Sequence, residues 1–186
     1  MGLVDTILDN IDDSEEIISV TTSSRNSKSN KSQELNKKVF IVHGHNEIMK
    51  QSVARFIEKI GLEAIILHEQ PNNGLTIIEK FQNNSNVGFA IVLLSGDDVG
   101  YSKKEGDISA KERARQNVIF ELGYFTGSIG RDRVIALVEN LSNFEIPSDY
   151  SGILYIDFDT DSEKWRSAIA KELVSKGYPI DLTKVL

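Results

Sequence analysis

The sequence of 186 residues contains no cysteine. This excludes a disulfide framework, a thiolate nucleophile and a cysteine-based zinc site. Long apolar runs are missing as well: none approaches the length that spans a bilayer, and the N-terminus has no basic segment followed by an apolar core. We therefore expect a soluble, cytoplasmic protein without a membrane partner.

Basic residues are few for a protein of this size. Lysine and arginine number 21 against 28 aspartates and glutamates, and the net charge is −7. The sequence also lacks a block of lysine and arginine interleaved with aromatic residues. Because nucleic-acid binding depends on neutralising phosphates, this charge balance disfavours a nucleic-acid partner. A hydrophobic content of 40% is enough for a core, and the length suits one domain with an appendage.

The appendage is predicted at residues 1–37. Leu3, Ile7 and Ile11 have the spacing of a short amphipathic helix, and an acidic patch follows them. The remainder of this segment is rich in serine, asparagine and lysine, which cannot bury enough apolar surface to offset the entropy of ordering. We interpret 1–37 as an acidic segment and a flexible linker, or alternatively as a tethered docking segment, and 38–186 as the domain.

Short apolar runs alternate with helical patterns throughout the domain. The predicted strands are 39–42, 63–67, 87–94, 133–138 and 152–158; the predicted helices follow Asn46, span 76–81, span 114–131 and surround Trp165. This alternation predicts an α/β fold with a five-stranded parallel sheet and helices on both faces. Ligands of such sheets bind beyond the carboxyl ends of the strands, here the loops 43–46, 68–74, 95–111 and 139–150.

The helix at 114–131 carries the most informative carboxylate. Its apolar stripe is Val118, Leu122, Phe125 and Ile129, at helical spacing. Glu121 lies at the edge of that stripe with Asn117 one turn before it. Because its neighbours are apolar, a shifted pKa and a functional role are expected. The alternative is an ordinary boundary glutamate, partly solvated or paired with Arg115 or Lys111.

Another face of the same helix carries Phe120, Gly123 and Gly127. Two glycines in a helix interior cost stability relative to alanine, so we expect a close approach to the backbone there. Either the sheet or a second subunit would supply it.

The common nucleotide and hydrolase motifs are missing. The sequence contains no G-x-G-x-x-G, no G-x-x-x-x-G-K-[ST] and no G-x-S-x-G. The first strand instead leads into His43, Gly44, His45 and Asn46 at the start of a helix, where backbone amides and imidazoles would bind an anion. The alternative is a tight turn in which Gly44 relieves the backbone and Asn46 only caps the helix.

Two other kinds of site fit this sequence poorly. His43, His45 and His68 lack the paired carboxylate that would favour a metal site, so no metal is predicted. A phosphoacceptor site would need an acidic pair after the first strand and an aspartate at the end of the third. Asp97 and Asp98 come too late for that role, and Asp97 is counted instead among the nucleotide-binding residues.

Four segments together resemble a known family. They are VFIVHGHNE, PNNGLTIIEKF, FAIVLLSGDDVG and ARQNVIFELGYFTGSIGR. The family is that of the bacterial TIR-like domains once described as predicted nucleotide-binding proteins, and the resemblance covers about residues 38–178. It implies a flavodoxin-like TIR fold that cleaves NAD+, as the effector of antiphage systems switched on by cyclic nucleotides or other signals.

The resemblance also implies roles for particular residues. Glu121 corresponds to the family's glutamate in the helix after the third strand, and NAD+ would be its substrate, with no further cofactor. By position, the turn of His43, Gly44, His45 and Asn46 would hold phosphate or adenine. Phe81 or Tyr101 would stack on a base, Asn117 would orient Glu121 or the ribose, and Arg115 would contact the diphosphate. Self-association through TIR domains would complete the pocket.

Two other functions remain open for this sequence. A non-enzymatic TIR scaffold would retain the pocket without using it. A nucleotide-binding sensor would hold its ligand without cleaving it. The carboxylate of Glu121 beside an apolar stripe favours the enzyme.

Overall fold

A computed structural model describes residues 35–67, 79, 86–148 and 152–185. Five strands form one parallel sheet: β1 (Lys38–Val42), β2 (Glu63–Ile66), β3 (Phe89–Leu94), β6 (Val134–Glu139) and β7 (Leu154–Phe158). Their order across the sheet is β2-β1-β3-β6-β7, and every neighbouring pair is parallel. The predicted five-stranded parallel sheet is confirmed.

Helices cover both faces of this sheet. α1 (Glu47–Lys59) and α3 (Lys164–Ser175) pack on one face, and α2 (Gln116–Ile129) packs on the other. All six residues of β3 are buried, as expected for a central strand covered on both sides. The stripe predicted for α2 faces the sheet: Val118, Leu122 and Phe125 are buried, and the Phe125 ring lies 4.5 Å from that of Phe40.

The predicted loop 95–111 is more regular than the sequence suggested. It contains β4 (Asp98–Gly100) and a 3-10 turn (Asp107–Ser109), and β5 (Lys111–Arg113) pairs antiparallel with β4. Strands of three residues are too short for an alternating pattern to be recognised, which explains why sequence reasoning missed this ribbon.

The outward face of α2 is open at Phe120 and Gly127, two of the three positions where close approach was expected. Phe120 is 59% exposed, and a Cβ placed on Gly127 would meet no atom within 4 Å among the described residues. The sheet therefore does not approach Gly127, because the buried stripe turns this face outward. Approach by a second subunit stays a prediction.

Several predicted features lie outside the described residues. They are Phe81, His68, the loop 68–74, most of the appendage 1–37 and the helix at 76–81 apart from Glu79. Within the described part, Leu35 packs on the core and the Asn36 amide donates to the carbonyl of Asn86. No helix in that part of the chain has the length and apolarity needed to cross a membrane.

Candidate active site

The candidate site lies at the carboxyl ends of β1, β3 and β6. These strands are neighbours, and the chain moves from β1 outward to β2 before returning to β3 on the other side of β1. This reversal of strand order is the place where open parallel sheets bind ligands. Two segments, 43–46 after β1 and 95–97 after β3, meet the end of β6 there.

Asp97 ties the first two of these segments together. Its Oδ2 accepts a hydrogen bond from the backbone N–H of His45 over 3.0 Å and from Oγ of Ser95 over 2.9 Å. Gly44 leaves room for this carboxylate, since a Cβ on Gly44 would lie 1.6 Å from Asp97 Oδ2. The glycine is therefore required by close packing.

Glu139, the last residue of β6, connects the end of β6 to the segments that follow β1 and β3. Its Oε1 accepts from the Asn46 side-chain amide over 2.9 Å, and its Oε2 accepts from the Gly96 backbone N–H over 3.0 Å. Oδ1 of Asn46 also accepts from the N–H of Met49 over 2.9 Å and so caps α1. The Asn46 side chain thus caps the start of α1 and also binds the last residue of β6.

Arg115 connects this network with α2. It is the residue directly before the helix, and its Nη1 donates to Nε2 of His45 over 2.8 Å. Because a guanidinium can only donate, Nε2 of His45 is the unprotonated ring nitrogen in this arrangement. Arg115 and His45 therefore form one cationic unit above the strand ends.

Glu121 lies on α2 beside this unit. Burial raises the pKa of its carboxyl group from 4.5 to about 7, and the positive charge of Arg115 opposes this shift. Among the described residues, its side chain has no hydrogen bond or ion pair. The ion pair of Glu121 with Arg115 or Lys111, which was one of the alternatives, is therefore not formed among the described residues. Such a partly buried carboxyl group is suited to interact with a ligand.

Comparisons with known proteins identify the family of the chain. A family model described as "CAP12/Pycsar effector protein, TIR domain" matches residues 38–160. The chain belongs to this family.

The similarity extends to individual proteins. The chain is 48% identical to the uncharacterized protein YuaY of Escherichia coli K12 over 153 residues, which are 82% of this chain and 50% of YuaY. It is 42% identical to protein tirC of Dictyostelium discoideum over 139 residues, 71% of this chain and 69% of tirC. The Pycsar effector protein BcPycTIR of Burkholderia cepacia is 33% identical over 75 residues, 40% of this chain and 23% of BcPycTIR. The chain thus spans about half the length of YuaY.

Several residues predicted for this TIR domain's site lie together. Those linked by hydrogen bonds or electrostatics are His45, Asn46, Asp97, Arg115 and Glu121, with Gly44 packed beneath Asp97. Nδ1 of His43 donates to the carbonyl of Gly44 over 2.8 Å. The backbone N–H of His45, expected to face an anion, already donates to Asp97, so the cationic unit is the better anion contact.

Other predicted residues are not joined to this network. The side chain of Asn117 is exposed and makes no hydrogen bond with a described residue. Tyr101 follows β4 and is 59% exposed. Their contacts with a ligand stay predictions, as does that of Phe81, which lies outside the described residues.

Sequence reasoning missed Ser95 and Glu139. Ser95 is only 1% exposed although it is polar, which its bond to Asp97 explains. Glu139 resembles any polar residue that closes a strand. The available signal was its place at the carboxyl end of a parallel strand near the reversal of strand order.

We predict that Gly44→Ala disrupts the junction of β1 and β3. The new methyl group displaces the Asp97 carboxylate, so the N–H of His45 loses its acceptor, and the free energy of unfolding falls by about 0.5–1.5 kcal/mol. Gly127→Ala is the matched control: its methyl group meets open space on a helix, and stability rises by about 0.5–1 kcal/mol. Chemical denaturation measures both. Equal stability of Gly44→Ala and the unaltered protein would show that Asp97 does not need this space.

Proposed function

We propose that this protein is an NAD+ glycohydrolase that cleaves the bond between nicotinamide and ribose. The observation that carries the proposal is the carboxyl group of Glu121, poorly solvated and close to the cationic unit of Arg115 and His45. Membership of the TIR family supports it, through the NAD+ cleavage that the sequence resemblance implies. The products are nicotinamide and ADP-ribose, or a cyclised form of ADP-ribose.

The reaction needs only one carboxylate. The electron pair of the bond between C1′ and nitrogen leaves with nicotinamide, which departs as a neutral molecule because it was a cationic pyridinium in NAD+. No general acid is therefore required, in contrast to the carboxylate pairs of ordinary glycosidases. The ribosyl centre becomes positive, and the carboxylate of Glu121 stabilises that charge and accepts hydrogen bonds from the ribose hydroxyls. Water then adds to C1′ and releases a proton; in the cyclised product an adenine nitrogen takes the place of water.

The substrate is oriented by charge. The guanidinium of Arg115 and the imidazole of His45 are the groups placed to bind the diphosphate, since the backbone of the first turn already serves Asp97. Asn117, one turn before Glu121, is the candidate for a ribose hydroxyl, and Phe81 or Tyr101 for stacking on adenine. Bound NAD+ brings a pyridinium charge to Glu121, which lowers the pKa of this carboxyl group and favours its reactive ionised form.

We place this activity in antiphage defence in the cytoplasm. The support is the family description, which names CAP12 and Pycsar effectors, together with two partly similar proteins named Pycsar effectors, BcPycTIR and PaPycTIR. A cyclic-nucleotide-sensing or other component would act as the activator and bring TIR domains together. The open face around Phe120 and Gly127 leaves α2 accessible for such assembly.

We predict that Glu121→Gln lowers the rate of NAD+ cleavage by about 100-fold or more, because an amide cannot stabilise the positive ribosyl centre by charge. Release of free nicotinamide is the measurement, under clustering conditions for every variant. Glu58→Gln, an exposed glutamate on α1, is the control and retains the rate. Cleavage at the unaltered rate in Glu121→Gln would disprove the catalytic role. Binding of NAD+ without cleavage by the clustered unaltered protein would identify a sensor, and neither binding nor cleavage a scaffold.

The specific rate should also rise with protein concentration. If a second subunit completes the pocket, dilute monomer is nearly inactive. The rate of NAD+ cleavage per protein molecule then rises with concentration as oligomers form. Cleavage is measured across a dilution series whose association state is followed by light scattering. Fusion to a dimeric coiled coil should restore activity at low concentration. A constant specific rate over a range in which monomer becomes oligomer would rule out this requirement.

The pH dependence of kcat/KM should report the free enzyme's Glu121. Because the ionised form is reactive and the pKa is about 7, kcat/KM rises about tenfold per pH unit below pH 7 and levels off above it. Arg115→Gln removes the charge that lowers this pKa, so its midpoint moves to higher pH. A profile that is flat from pH 5 to pH 8 would contradict the assignment.

Unfolding provides a second measure of the same group. A raised pKa in the folded state means that the contribution of Glu121 to stability is complete below pH 4.5 and is lost as pH rises through about 7. Glutamine does not titrate, so Glu121→Gln does not lose this stability. The free energy of unfolding of Glu121→Gln should therefore rise relative to that of the unaltered protein between pH 4.5 and about pH 7.

A further inference from the structure

A cavity of about 510 Å³ lies on the other flank of α2 from Glu121. Its wall includes Ile119 and Phe144. Phe125, which lies one turn from Glu121 on the opposite flank of α2 from Ile119, contacts Phe40 of β1. The volume is within the range of about 300–1,000 Å³ that is usual for small-molecule sites. The cavity is therefore distinct from the proposed catalytic site.

The walls of the cavity are fixed by backbone hydrogen bonds. The chain at 143–145 runs alongside β5: the N–H of Glu112 donates to the carbonyl of Asn143 over 3.0 Å, and the N–H of Glu145 donates to the carbonyl of Glu112 over 2.7 Å. The Asn143 side chain adds a bond to the carbonyl of Ala110 over 2.9 Å. These contacts hold Lys111 and Arg113, on one side of the cavity, against the segment that forms the other.

Two cations line this cavity without a carboxylate partner among the described residues. Neither Lys111 nor Arg113 has an ion pair there, although the chain as a whole carries a net charge of −7. The Nε of Arg113 is buried and has no hydrogen-bond acceptor in that part of the chain. Buried donors are almost always satisfied in native proteins, so this Nε lacks the acceptor that a buried donor usually has.

The rest of the wall is largely apolar. Ile119, Phe144, Ile146 and Pro147 form a surface suited to a flat ring. Glu145 also lines the cavity, and its carboxylate is able to accept hydrogen bonds from amino or hydroxyl groups. Cations beside an apolar surface match a ligand that combines a phosphate with a ring.

We propose that this cavity is a second ligand site, which binds a nucleotide with its phosphate on Lys111 and Arg113 and its base against Phe144. Arg113 precedes Arg115 by two residues, so the site adjoins the start of α2. The proposal is independent of NAD+ cleavage, because it concerns binding alone.

The probe for this site is AMP, titrated into the full chain and followed by calorimetry and by backbone amide resonances in NMR. AMP should shift the amides of 111–113 and 143–147. Lys111→Gln and Arg113→Gln should each weaken this binding by about tenfold or more, since each removes a charge-assisted hydrogen bond. Lys111 is exposed, so its replacement tests the site even if Arg113→Gln fails to fold. Lys171→Gln, an exposed lysine on α3, should bind as the unaltered protein does.

Adenosine and inorganic phosphate separate the two halves of the ligand. Each should bind at least about tenfold more weakly than AMP if both ring and phosphate are recognised. Phosphate binding as tight as that of AMP would overturn the assignment of a nucleotide. Shifts confined to 43–46, no binding at all, or full affinity in both Lys111→Gln and Arg113→Gln would overturn the site itself.

Discussion

The carboxylate of Asp97 is the constraint on which the geometry of the site depends. It accepts from the backbone N–H of His45 and from Ser95, and so joins the chain after β1 to the chain after β3. Parallel strands leave their last backbone groups without ladder partners, so the edge needs side chains to satisfy them. Glu139 does the same for β6 through Asn46 and Gly96. The three strand ends are thereby held as one rigid base for the loops above them.

The electrostatics of the site arise from a conflict between burial and charge. Partial burial on α2 favours the neutral form of Glu121, whereas the guanidinium of Arg115 favours the ionised form, and burial is the larger effect. Arg115 is itself held in place by His45, which belongs to the turn that Asp97 fixes. The protonation of the glutamate is thus linked to the junction of strands through two hydrogen bonds.

The sequence was sufficient to predict the elements whose patterns are long. The central strands β1, β3 and β6 are dense apolar runs. α2 carries a stripe over several turns, from which the position of Glu121 at its edge followed. The β4–β5 ribbon escaped notice because strands of three residues have no measurable period.

The bonds of the strand junction also escaped sequence reasoning, for a different reason. Asp97 and His45 are 52 positions apart, and Asn46 and Glu139 are 93 apart. Pairing over such distances depends on strand order, which local composition does not encode. Gly127 is a different case: within the described structure the sheet does not make the close contact that this glycine suggested, and contact with a second subunit stays a prediction.

The fixed carboxylates Asp97 and Glu139 also have a consequence for selectivity. They give the floor of the crevice a negative potential, which the guanidinium of Arg115 offsets at one end. A polyanion such as a nucleoside triphosphate would meet repulsion from this floor. NAD+, the substrate proposed above, carries a positive nicotinamide ring and a single negative charge on each phosphate, so it would meet a more complementary field than a triphosphate would.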